Sequence, residues 1–86
     1  MSSEEFRQAL ADAGYEDAYI FDGFEDAYIG MSHDGRVIYD FNKMVRICKK
    51  WGMKYEEAVE YIDYNPVRTI PYLGEKAPII LYKVEL

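Results

Sequence analysis

Asp34-Gly35 stands between two apolar runs, residues 27–32 and 36–39, and commits this part of the chain to an antiparallel hairpin. A three-residue loop, His33-Asp34-Gly35 with Gly35 left-handed, pairs Met31 with Val37 and Ile29 with Tyr39. Those four side chains then share one face. A two-residue loop would set Asp40 opposite Ile29, and that conflict favours the longer loop. With 86 residues around this hairpin, the chain has room for one domain. Folding at this size hides roughly 60–65% of the open chain's surface, which limits the core to a modest one.

The rest of the chain supplies helices and one more strand. Ser2 followed by Glu5 fits a capping box, and Phe6, Ala9, Leu10 and Ala13 then recur at helical spacing up to Gly14. This predicts helix 1 over about 3–13, with a hairpin over about 27–40. A second helix over about 42–51 is capped by Asp40 or Asn42 and turns Met44, Ile47, Cys48 and Trp51 inward. Gly52 and Met53 make a tight corner into a third helix, about 54–64, with Tyr55, Ala58, Val59 and Ile62 inward. Asn65 as a left-handed cap and Pro66 as a stop end it. All three prolines lie in the loop 65–78, and an apolar strand over 79–85 closes the chain. The expected fold is α+β: a small antiparallel sheet of hairpin plus C-terminal strand, with two to three helices on one face. Tyr15-Glu16-Asp17-Ala18-Tyr19-Ile20 returns nine residues later as Phe24-Glu25-Asp26-Ala27-Tyr28-Ile29. The period is too short for a solenoid and reads as two strand starts around an Asp22-Gly23 turn.

Charge is unevenly placed. Residues 1–34 hold nine acids and one base, Arg7, while residues 35–86 hold seven acids and nine bases. Lys43, Arg46, Lys49, Lys50 and Lys54 follow one another with no acid between them. A net charge of -6 repels nucleic acid and anionic lipid unless a local patch overrides the field. No apolar run approaches the roughly 20 residues of a membrane helix. The acidic start and the single Cys48 fit a reducing, cytoplasmic setting.

No set of residues assembles a reaction centre. His33 reads as a solvated turn residue and Cys48 as a small buried hydrophobe. The carboxylates Asp22, Glu25 and Asp26 lack the calcium-loop pattern, and there is neither a phosphate loop nor a dinucleotide fingerprint. The expectation is a non-enzyme without metal or cofactor. Tyrosine offers a rigid apolar ring with a polar tip, which suits interface anchors. Tyr64 and Tyr72 are therefore set beside Glu16, Asp17, Asp22, Glu25 and Asp26 as partner-binding residues. Arg68 and Lys76 are candidate anion contacts, weighed against loop-anchoring hydrogen bonds.

Residues 21–30 (Phe-Asp-Gly-Phe-Glu-Asp-Ala-Tyr-Ile-Gly) and 34–39 (Asp-Gly-Arg-Val-Ile-Tyr) resemble short uncharacterised proteins of bacteriophages and prophages. Residues 55–61 (Tyr-Glu-Glu-Ala-Val-Glu-Tyr) and 71–80 (Pro-Tyr-Leu-Gly-Glu-Lys-Ala-Pro-Ile-Ile) look like the same family. The resemblance spans roughly residues 18–82 and implies a genomic setting, not a reaction. Such proteins often have Thr or Ser where Lys54 stands, so helix 3 lacks its normal cap here. The expected function is stoichiometric binding to a basic host protein, such as a defence or nucleic-acid-binding protein, through the acidic surface. Two alternatives stand beside it: a homo-oligomer that holds a small anionic ligand such as a nucleotide, and a structural protein of the virion. A homodimer is compatible with each; direct contact with nucleic acid or membrane is not expected.

Overall fold

The computed structural model describes residues 1–86. In chain order it contains α1 (Ser3–Asp12), β1 (Tyr28–Met31), β2 (Val37–Asp40), α2 (Phe41–Lys50), α3 (Tyr55–Ile62) and β3 (Ile79–Leu81). Short helical turns lie at Glu25–Ala27, Asp63–Val67, Ile70–Tyr72 and Gly74–Lys76. The class is α+β, with three helices and one mixed sheet in the order β1-β2-β3.

α1 starts at a reciprocal cap. The Ser2 hydroxyl accepts from the Glu5 N–H at 3.1 Å, and the Glu5 carboxylate accepts from the Ser2 N–H at 3.0 Å. Two donors that the helix cannot satisfy are thereby paired. Its buried stripe is narrower than the spacing predicts: Phe6 and Leu10 are buried, while Ala9 and Ala13 are exposed.

The hairpin has the three-residue loop. Gly35 adopts φ 79°, Ser32 N–H donates to the Arg36 carbonyl at 2.8 Å, and Met31 faces Val37. The expected Ile29–Tyr39 pair does not form. Tyr28 faces Tyr39 and Gly30 faces Ile38, which leaves Ile29 as the extra residue of a bulge. Gly30 accepts the unusual backbone there at φ 152°. The Tyr28 ring then reaches the Phe6 ring, 5.1 Å between centroids.

β3 is the main departure from the expected sheet. It pairs with β2 in parallel, Ile38 facing Ile79 and Asp40 facing Leu81. The cause is topological: two helices separate β2 from β3, and a crossover of that kind returns the chain in its original direction. The strand also stops at Leu81, short of the expected 85.

On the core face of β2, Val37 and Tyr39 are wholly buried together with Met44, Cys48, Ala58 and Ile62. Two residues expected inside are not. Trp51 is 50% exposed and Tyr55 57% exposed. Trp51 lies just beyond the last turn of α2, and its ring crosses Phe24 at 5.3 Å and Tyr61 at 6.2 Å on the surface of the core. The near-repeat does not give two strands: only its second copy leads into β1.

The Tyr39 hydroxyl accepts a buried hydrogen bond from the Phe21 N–H at 2.8 Å. Burial, followed by the nearby Glu25 and Asp22 carboxylates, pushes the phenol far above its ordinary range. Deprotonation is thus harder in the folded chain than in the unfolded one. Stability is complete below about pH 10, where an unfolded tyrosine titrates, and falls as pH rises beyond it. Tyr39→Phe should cost about 1–3 kcal/mol at neutral pH, because a buried donor loses its acceptor. It should also flatten the alkaline fall. Urea unfolding at neutral and alkaline pH measures both effects.

Candidate functional site

The sequence places Pro66 as a helix stop, yet the backbone stays helical through it. α3 passes into the wider turn Asp63–Val67, with Pro66 inside. Proline has no N–H and its ring presses on the carbonyl four residues back. Widening the turn relieves that contact. Side chains satisfy what the turn exposes: the Asn65 amide donates to the Tyr61 carbonyl at 2.8 Å, and the Thr69 hydroxyl donates to the Pro66 carbonyl at 2.7 Å. Asn65 is therefore a helical residue whose side chain caps the Tyr61 carbonyl, not the expected left-handed stop; no residue other than glycine has positive φ. The expected loop 65–78 is mostly short helical turns.

This turn forms one wall of a hollow of about 380 Å³; residues 20–24 form the other. The volume falls in the range of roughly 300–1,000 Å³ seen for small-ligand sites. Phe21, Phe24, Tyr61 and Tyr64 supply aromatic surface, and Asp22 and Arg68 supply charge. The Arg68 guanidinium lies 4.7 Å over the Tyr64 ring, a cation–π contact. It makes neither an ion pair nor a loop-anchoring hydrogen bond. A second hollow shares Tyr61, Tyr64 and Asn65 and is bordered by Glu57 and Glu60.

Among the residues singled out from the sequence, Asp22, Tyr64 and Arg68 come together in the first hollow. The others are elsewhere. Glu16 and Asp17 lie exposed in a turn before buried Ala18. Glu25 is engaged within the fold: its carboxylate accepts from the Ser3 hydroxyl and, at 3.2 Å, from the Gly23 N–H. Those hydrogen bonds hold its carboxyl below its usual pKa against the opposing effect of burial, the largest single influence. Asp26 lines a cleft with Lys43, Arg46 and Lys50 of α2 without forming an ion pair. Tyr72 is 86% exposed on a short helical turn.

Lys76 does not converge with Arg68. Its ammonium donates to the Asp34 carbonyl at 2.7 Å, and it lines a separate hollow with Asp34, Arg36 and Glu75. The Arg36 Nε donates to the Ala77 carbonyl at 2.7 Å. Lys76 and Arg36 together brace the hairpin tip against residues 76–77.

The sequence puts Tyr61 beside the inward stripe of helix 3, as the structure does, but not among the partner-binding residues; Trp51 it places inside. Trp51 sat on the stripe of helix 2, where nothing marked it as exposed. His33 is exposed at the hairpin tip, and Cys48 is buried, which raises its thiol pKa.

Gly23, in the wall formed by residues 20–24, lies against the Trp51 ring. Its φ is +93°, and a Cβ there would lie 3.3 Å from the Trp51 ring. Gly23→Ala should cost about 1–3 kcal/mol of backbone strain. It should also displace the ring and shift the emission of Trp51, the only tryptophan. Thermal melting and fluorescence check both outcomes.

Comparison with family models, with curated proteins and with solved structures finds no match for this chain.

Proposed function

We propose that this chain is a non-enzymatic, phage-type accessory protein that works by stoichiometric binding to a basic host protein. The observation that carries this reading is the state of the N-terminal carboxylates. Of the nine in residues 1–34, all but Glu25 are exposed. The single ion pair among them joins Asp22 to Arg7 at 3.5 Å, both exposed and both in the same segment. None forms an ion pair with Lys43, Arg46, Lys49, Lys50 or Lys54; Asp26 shares a cleft with three of those cations and Asp34 lies beside Arg36 and Lys76, so the acids left without a neighbouring lysine of α2 are those of residues 4–22.

The field of these acids attracts a basic surface and raises the encounter rate. It gives little binding energy by itself, since exposed ion pairs are worth about 0–1 kcal/mol. The holding energy belongs to the hollow beside Asp22, where Tyr61, Tyr64 and Arg68 are the residue types that dominate interface hot spots. Occlusion of the partner's basic surface is the mechanism, and inhibition of a host nuclease is one concrete form. The nucleotide-binding alternative loses its paired cations, because Lys76 is engaged at the hairpin while Arg68 lines a different hollow.

Immobilised protein should retain a basic partner from host lysate at low salt and release it as salt shortens the screening length to about 3 Å near 1 M. Neutralising Glu16, Asp17, Asp22 and Asp26 together, with Gln or Asn, should abolish retention without lowering the melting temperature. Retention unaffected by salt and by the neutralised variant would refute the reading.

A further inference from the structure

Residues 82–86, Tyr-Lys-Val-Glu-Leu, make no backbone hydrogen bond, and all five are exposed. They follow β3, an edge of the sheet. The opposite edge is guarded: β1 carries the bulge at Ile29, and Phe6 of α1 packs on its Tyr28. Bulges, prolines, charged side chains and covering elements are the usual means of keeping an edge from pairing. Residues 82–86 have neither proline nor cover, and their two charges, Lys83 and Glu85, are of opposite sign, so they repel a second copy only in some registers. Their start is nonetheless held in place, by the Tyr82 ring 4.8 Å from Phe41 and by the Lys83 ammonium 3.8 Å from the Asp40 carboxylate.

The segment alternates between apolar Tyr82, Val84 and Leu86 and the opposite charges Lys83 and Glu85. We propose that it pairs with the same segment of a second copy, antiparallel about a two-fold axis through Val84. In that register Lys83 faces Glu85 of the second copy, and the reverse pair follows by symmetry. Val84 faces Val84, and Tyr82 faces Leu86. Other registers lose this match. A parallel, in-register pair sets like charges side by side. An axis through Lys83 or Glu85 does the same at its centre, and an axis through Tyr82 sets Lys83 against Leu81. Opposite charges facing each other across strands stabilise a pair, and like charges destabilise it.

The segment is short, so the interface belongs to the small, transient class below about 1,200 Å². The inference is independent of the proposed function, since the acidic surface and the aromatic hollow take no part in it. Sedimentation of the purified chain from about 10 µM to about 1 mM, the range of transient complexes, should show mass rising from 10.1 kDa towards a dimer. Glu85→Lys puts a lysine opposite Lys83 twice per dimer and should weaken association about fivefold or more. The double exchange Lys83→Glu with Glu85→Lys restores opposite charges and should recover it. Because that exchange also removes the partner of Asp40, deletion of residues 84–86 serves as the second variant. It keeps Tyr82 and Lys83 and should leave a monomer. A mass of 10.1 kDa at every concentration, or association that Glu85→Lys and the deletion leave unchanged, would overturn the proposal.

Discussion

The hydrogen bond from the Phe21 N–H to the Tyr39 hydroxyl fastens the longest irregular part of the molecule to the centre of its sheet. Between the end of α1 at Asp12 and the start of β1 at Tyr28, the only regular element is the short turn Glu25–Ala27. Ordering each residue there costs about 1–2 kcal/mol of backbone entropy, with no ladder of hydrogen bonds in return. The segment offsets that cost with a few specific anchors. Ala18, Phe21 and Phe24 are buried, the Phe21 ring stacks on Tyr39 at 5.4 Å, and Tyr19 N–H donates to the Lys76 carbonyl at 3.3 Å. Asp22 and Gly23 come next in the chain, so one wall of the aromatic hollow takes its position from the same buried hydroxyl.

How much of this the sequence reveals depends on the range of the interaction. The hairpin loop is legible because Asp34-Gly35 is a local signal with a local consequence. The capping box of α1 and the Met44–Cys48 stripe of α2 are legible for the same reason. The bulge at Ile29 is not, because its motive is distant: Tyr28 reaches Phe6 across more than twenty residues of sequence. The direction of β3 was hidden in topology, since an apolar run carries no mark of parallel or antiparallel pairing. Pro66 misled in another way. Its usual effect as a stop was cancelled by Asn65 and Thr69, whose side chains satisfy the carbonyls of a widened turn. At the candidate site, Asp22, Tyr64 and Arg68 were each visible as residue types, but their meeting required the fold.

The two groups of cations have different duties. Arg36 and Lys76 spend their donors on backbone carbonyls, which makes them structural braces between the hairpin and the segment before β3. The cations of α2 form no ion pairs, and Lys49 and Lys50 complement the negative end of their own helix. Of the α2 cations, Lys43, Arg46 and Lys50 share a cleft with Asp26, so the acidic surface that stands apart from them is the stretch around Glu16, Asp17 and Asp22.

Asp40 links the sheet, α2 and the C-terminal segment. It ends β2, is 2% exposed, and its Oδ2 accepts from the Lys43 N–H at 3.0 Å as the cap of α2. Such a cap is worth about 1 kcal/mol. Its Oδ1 has no hydrogen-bond partner, and Lys83 at 3.8 Å is the one cation paired with it. A buried carboxylate left without a counter-charge would cost several kcal/mol, so the fold constrains Lys83 to stay near the strand end. An ammonium has three donors and can face a second carboxylate without leaving the first. The charge that the interior requires at position 83 is therefore the same charge that a neighbouring Glu85 would meet, and packing demands within one molecule have set part of the pattern on its exposed edge.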